Sequence, residues 1–310
     1  MQTLKRLSAV ALVLAFAEIV FGAIVRITGS GMGCGEHWPK CAGLWFPPHD
    51  RMDLIIEITH RYIALGLSLV IVALLVAAFT RRNEPGVAGK GGVLRPATLA
   101  GTLVVAAALL GAVTVKMALN PLVIASHLTI AMSLLATLAV ALGRAGGLGA
   151  NADLTGGTQR TFRSARGAVG LAIVTLVLGA LTANLPDAAA SCGGFPWCRT
   201  INFGGTALWV NIIHRIIAFA LFGHLWRMAV MAGKRHDPAI VVRAARFAFA
   251  AAVLQVLVAA AMVEMHFPAY LRSLHQAAGT LVWLAVVILA IVATRARRFA
   301  ESQPVVRAAA

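Results

Sequence analysis

Charge is what this chain has least of. Only 12% of its 310 residues are Asp, Glu, Lys or Arg, and just 11 residues are acidic. Soluble domains carry about 25% charged residues, so a fold wetted on every side is excluded. Four cysteines and two tyrosines are too few for a disulfide-built scaffold. A linker-like stretch, rich in Gly, Arg, Asn and Thr, occurs once, over 144–167, near the middle of the chain.

Apolar sequence takes the place of charge. The chain is 60% hydrophobic with a mean hydropathy of +0.85. At about 20 residues per span, it has room for roughly eight membrane helices. The apolar runs predict them near 7–27, 54–79, 94–117, 121–143, 168–184, 207–232, 240–264 and 271–294. The first run is long for a signal peptide and leads into Arg26 with no small-residue cleavage site, so it reads as a retained span.

The few charges are unbalanced, with 27 Lys and Arg giving a net +16. Their placement argues against a nucleic-acid partner. Most lie in alternate loops: Lys5 and Arg6; Arg81, Arg82, Lys90 and Arg95; Arg144, Arg160, Arg163 and Arg166; Arg227, Lys234, Arg235, Arg243 and Arg246; then Arg295, Arg297, Arg298 and Arg307. The positive-inside rule puts those loops and both termini in the cytoplasm, with the surplus charge facing lipid headgroups. The expected location is the cell membrane, multi-pass.

All four cysteines fall in two loops on the opposite side, 28–53 and 185–206. On the extracytoplasmic side disulfides persist, so Cys34 with Cys41 and Cys192 with Cys198 are expected to form two bridges. The loops also expose a duplication. Phe21-Gly22-Ala23-Ile24, the first cysteine pair, His60-Arg61 and His127 recur in order as Leu178-Gly179-Ala180-Leu181, the second pair, His214-Arg215 and His275. The expected architecture is all-α: two pseudo-symmetric four-helix bundles, 1–150 and 151–310, forming a parallel repeat.

His60, His127, His214 and His275 each fall shortly inside a cysteine-loop end of an even-numbered helix. Ionisable residues at such depth usually face a bundle interior. Two imidazoles from different helices at matched depth suit axial ligation of haem iron. A free zinc or copper centre would want its ligands in one cluster, and none is expected. His37 and His49 sit in the first cysteine loop, within reach of a ligand there. Arg61, Arg215 and Arg272 lie beside these histidines, and Arg26 ends the first span. Guanidinium pairs bidentately with carboxylate, so these arginines are candidate partners of haem propionates, or snorkel to the interface.

The halves differ three residues before the first histidine, where Glu57 in one half faces Asn211 in the other. A carboxylate can hold or pass a proton and an amide cannot, although Glu57 is also placed to pair with Arg61 four residues on. Glu18, inside the first span, is matched by Thr175 and reads equally well as an interior hydrogen bond. The expectation is one reactive site in the first half and one fixed haem in the second.

The run Gly22-Ala23-Ile24-Val25-Arg26-Ile27-Thr28-Gly29-Ser30-Gly31, the Cys34/Cys41 loop and Glu57-Ile58-Thr59-His60-Arg61, with His127, His214 and His275 at these intervals, resembles the bacterial haem A synthase family over all eight spans. The resemblance implies oxidation of the C8 methyl group of haem O to the formyl group of haem A, for cytochrome oxidase. It implies His60 and His127 on the substrate haem, His214 and His275 on a haem b, an essential Glu57, and disulfides of which the first has a proposed redox role. An apolar, haem-bearing outer face suggests contact with a haem O synthase; the electron-transfer partner is left unidentified, and a homo-oligomer is left open. One departure stands out: the family often has Gln before the glycine of the third span, where Leu109 and Leu110 precede Gly111 here. A quinol-linked two-haem electron carrier and a non-catalytic haem-handling assembly factor are the competing readings.

Overall fold

The computed structural model describes residues 1–47 and 51–302; His49 and Arg307 lie outside the described residues. Eight helices account for most of them: α1 (Gln2–Ile27), α2 (Met52–Thr80), α3 (Leu94–Lys116), α4 (Pro121–Arg144), α5 (Gln159–Asn184), α6 (Gly205–Lys234), α7 (Ala239–Glu264) and α8 (Ala269–Ser302). All eight are long and apolar enough to cross a membrane. The only described strands are β1 (Cys192–Gly193) and β2 (Thr200–Ile201), a two-residue antiparallel pair in the second cysteine loop.

Helices form where the apolar runs lie because backbone polar groups in lipid must be satisfied within the segment. Most helices run further than hydropathy predicts, and α5 and α8 extend the furthest. α5 begins at Gln159 rather than 168, and α8 continues to Ser302 rather than 294. Local chemistry extends them. The Thr158 hydroxyl caps α5 by accepting the Thr161 N–H at 3.2 Å, worth about 1 kcal/mol. On α8, Arg297 pairs with Glu301 at 2.7 Å, four residues on, and its guanidinium lies 4.4 Å over the Phe162 ring of α5. These turns are polar on one face, so a reading based on apolar runs stops short of them.

Packing follows two matching circuits. In the first half α1 packs on α2 and α4, and α3 on α2 and α4; in the second, α5 packs on α6 and α8, and α7 on α6 and α8. The circuits meet where α1 and α4 touch α8 and α4 touches α5. α8 is the most buried helix, and Trp283 on it donates its indole N–H to the Met132 carbonyl of α4 at 2.9 Å. A single apolar core, including Ile71, Leu74, Met132, Leu135, Leu225, Val286 and Leu289, runs through both halves.

The duplication is visible in the backbone. Between α3 and α4, Ala118 and Leu119 both have positive φ; between α7 and α8, His266 and Phe267 do the same. Leu119 N–H closes on the Thr114 carbonyl at 2.9 Å, and Phe267 N–H on the Met262 carbonyl at 2.8 Å. Both turns satisfy helix-end carbonyls in the same way. α4 then starts from Asn120, whose side chain accepts the Leu122 N–H, with Pro121 in the first turn, where its missing N–H costs nothing.

Candidate functional site

Both cysteine pairs are bridged, Cys34 to Cys41 and Cys192 to Cys198, with Cα separations of 4.5 and 5.0 Å. Each bridged loop is pinned to the helix beneath it by the arginine that follows a histidine. Arg61 Nη1 donates to the carbonyls of His37, Pro39 and Lys40 at 2.7–3.1 Å. Arg215 donates to Gly194, Pro196 and Cys192. A guanidinium suits this task because it presents five donors in a fixed fork.

Glu57 is 4% exposed and both its oxygens are engaged. Oε1 takes the Arg61 guanidinium at 2.5 Å and Oε2 accepts the Cys34 N–H at 2.8 Å. Asn211, also 4% exposed, occupies the same place in the second half. Its Oδ1 accepts from Arg215 at 2.8 Å, and its Nδ2 donates to Ala188 and Ala189. The position therefore has one architectural job in both halves, tying loop to arginine, while only Glu57 adds a titratable carboxylate.

The four histidines sit six to nine residues from the starts of α2, α4, α6 and α8, roughly 9–14 Å along each helix. This is deeper than expected for His60 and His214, because α2 and α6 begin earlier than hydropathy indicates. His60 and His127 are carried by α2 and α4, and His214 and His275 by α6 and α8, diagonal partners in each four-helix circuit. Across the pairs no hydrogen bond joins one imidazole to the other among the described residues. Each ring instead meets a different neighbour. His60 Nε2 is 3.0 Å from Glu18 Oε1, and His214 Nδ1 is 3.2 Å from the carbonyl of Thr175, the repeat counterpart of Glu18. Gln255 Nε2 lies 3.1 Å from His275 Nδ1 and 3.2 Å from its Nε2. His127 approaches the Ala107 backbone, yet its Nδ1 is buried with no hydrogen-bond partner among the described residues.

Glycines make room for these rings. A Cβ on Gly22 would stand 2.8 Å from His60 Nε2, and one on Gly179 would stand 2.9 Å from His214 Cε1. At Gly111 it would lie 3.4 Å from His127 Cε1. A buried, unpartnered imidazole nitrogen is a donor open to a metal, and the glycines give the rings room to turn toward one, so the residues fit haem. Arg26 lies in the last turn of α1 and Arg272 in the first turn of α8, two helices that pack against each other. The only hydrogen bond from either guanidinium among the described residues runs from Arg26 to the Ala183 carbonyl at 3.3 Å. Two cations near this seam, with no acidic partner among the described residues, leave donors for an anion.

Residues 5–287 match the family model described as cytochrome oxidase assembly protein. The chain belongs to the haem A synthase family within that group. A haem A synthase from Bacillus licheniformis is 30% identical over 248 residues, 76% of this chain and 77% of that protein. One from Staphylococcus haemolyticus is 38% identical over 132 residues, 42% and 41% of the two chains. One from Geobacillus kaustophilus is 49% identical over 57 residues, 18% of each. The aligned segments thus range from a short stretch to about three quarters of the relatives' lengths. Membership ties the chain to haem A biosynthesis for cytochrome oxidase, as an enzyme of that process and a multi-pass membrane protein.

Against the haem A synthase pattern, two neighbours of the histidines carry more weight than the sequence suggests. Glu18 was readable as an interior hydrogen bond or as an acid–base group, and the structure gives it His60 as its partner. Gln255 carries no motif of its own. The one available signal was spacing: Gln255 precedes His275 by 20 residues, as Ala107 precedes His127.

Proposed function

We propose that this protein oxidises the C8 methyl group of haem O to the formyl group of haem A. The substrate's iron is held by His60 and His127 in the first half (1–150), and a resident haem b by His214 and His275 in the second (151–310). A haem with two imidazole ligands supplies one-electron transfer. The overall conversion removes four electrons and four protons from the methyl group and water together, and the water oxygen ends in the formyl group.

The observation that carries this reading is the contrast between Glu57 and Asn211. Both anchor a bridged loop to an arginine, so architecture alone would be served by either residue. Only the half with the carboxylate can accept a proton released from a methyl carbon. Arg61 and the Cys34 N–H hold that carboxylate in place, which keeps it oriented without spending substrate binding energy on it. Arg26 and Arg272 supply donors for haem propionates at the seam, and Glu18 fixes the His60 ring.

The arginine-rich helix ends and both termini face the cytoplasm under the positive-inside rule, and the bridged loops face outward, where disulfides persist. Haem O reaches the first half from a haem O synthase, the electrons leave through a separate transfer partner, and the surrounding partner is the lipid bilayer. Copies of the chain can associate through lipid-facing helix surfaces, and neither nucleic acid nor a free metal ion enters the chemistry. The test is to express the chain with a haem O source and extract its pigments. Haem A from the wild type and none from Glu57→Gln supports the proposal. Haem b alone from both would favour a plain electron carrier, unchanged haem O would favour a carrier of cofactor, and undiminished haem A from the variant would remove Glu57 from the chemistry.

A further inference from the structure

The two halves treat their last histidine differently. In the second half the Gln255 amide is shared between both ring nitrogens of His275, at 3.1 and 3.2 Å. Its other polar atom, Oε1, is buried with no partner among the described residues. Gly279 leaves the amide room there, since a Cβ at 279 would come within 3.3 Å of Gln255 Nε2. In the first half the equivalent position is Ala107, which has no polar side chain, and His127 Nδ1 is buried and unpartnered.

An imidazole that gives one nitrogen to a metal carries its proton on the other, and that N–H needs an acceptor if the ring is to keep one orientation. A half-turn of the Gln255 amide about its terminal torsion exchanges Nε2 for Oε1 at the ring. The orphaned oxygen then accepts the proton of whichever nitrogen is not committed to iron. The buried acceptor and the ring's need are complementary, and neither is met elsewhere among the described residues.

We propose that Gln255 is a positioning residue: through Oε1 it accepts the N–H of His275, fixing the ring's tautomer and orientation and making it a more basic ligand. This rests on the reading of His275 as a haem ligand. The difference from Ala107 then has a purpose. A resident haem must stay through many turnovers, so its ligand is held. A substrate haem must leave as product, and position 107 offers His127 no such side-chain brace. Outer-shell partners of this kind are typically worth about 10–100-fold in metal affinity.

The experiment uses the full chain purified in detergent with its bound haem, and reads the midpoint potential and the rate of haem loss to an apo-globin acceptor. Gln255→Leu removes the acceptor while keeping an apolar side chain. It should weaken the preference for ferric iron about tenfold, an upward shift of about 59 mV for one electron, and speed haem loss by at least the same factor. Gln255→Glu keeps an acceptor and strengthens it, so it should hold haem and shift the potential downward. Opposite shifts from the two variants establish the role. A potential and loss rate unchanged in Gln255→Leu would overturn it, as would equal shifts of one sign in both variants. His275→Ala separates the two layers of the argument: a full complement of low-spin haem in that variant sinks the ligand assignment itself, whatever Gln255 does.

Discussion

On the proposed reading of the second half as a haem site, a single methyl group placed at residue 179 should expel that haem while leaving the fold intact. In Gly179→Ala the new Cβ would lie 2.9 Å from His214 Cε1, 3.5 Å from Nδ1 and 3.7 Å from Nε2. Relaxed carbon contacts sit at about 3.5–4.0 Å, so the ring must retreat by roughly 0.6 Å or more. Overpacking of this size costs about 1–3 kcal/mol, and alanine returns up to about 1 kcal/mol of helix propensity lost by glycine. The net cost to folding is therefore small. Iron ligation is far less forgiving, because metal–ligand distances tolerate only about ±0.2 Å. The expected result is at least a tenfold drop in haem per polypeptide, measured by pigment extraction, with helicity unchanged by circular dichroism. Gly170→Ala is the control, on the same helix with nothing within 4 Å of a new Cβ, and should keep its haem. Wild-type haem content in Gly179→Ala would refute the claim that this glycine exists to seat the imidazole.

The repeat supplies a companion: Gly22→Ala, 2.8 Å from His60 Nε2, should abolish haem A formation and spare the second-half haem, as pigment analysis would show. Arg215→Met removes three bonds to loop carbonyls, each worth about 1.5–3 kcal/mol when the donor is charged. Faster hydrogen exchange confined to the 188–203 loop is expected, and a loop exchanging at the wild-type rate would count against the anchor. Trp283→Phe loses the bond to the Met132 carbonyl and leaves that acceptor buried, a cost of about 1–3 kcal/mol that a lowered thermal midpoint in detergent would register. An unshifted midpoint would mean the seam does not depend on this contact.

The span count, the loop bridges and the order of landmarks were legible because lipid forces helices to close their own hydrogen bonds, and a duplicated chain repeats its spacings. The ends of α5 and α8 were not, because Thr158, Arg297 and Glu301 stabilise helix through caps and pairs that hydropathy does not register. The direction of Arg61 and Arg215 was equally hidden: sequence places a guanidinium beside a histidine, but only the folded loop shows three carbonyls converging on each. Glu57 was legible as a titratable group and as an Arg61 partner, whereas its bond to the Cys34 N–H depends on how the bridged loop folds back. Gln255 escaped notice because a polar residue in an apolar helix gains meaning only when its neighbour across the bundle is known.

The paired left-handed residues at Ala118–Leu119 and His266–Phe267 bear on how the chain enters its bilayer. With only four residues between the helices on either side, and those already folded into a closed turn, neither connection has slack to be threaded across separately. Each of these two hairpins is expected to insert as one piece, its two arms together. The polypeptide would thus be built into lipid partly in doublets, and a lengthened, flexible connection at either turn would let one arm be stranded on the wrong side.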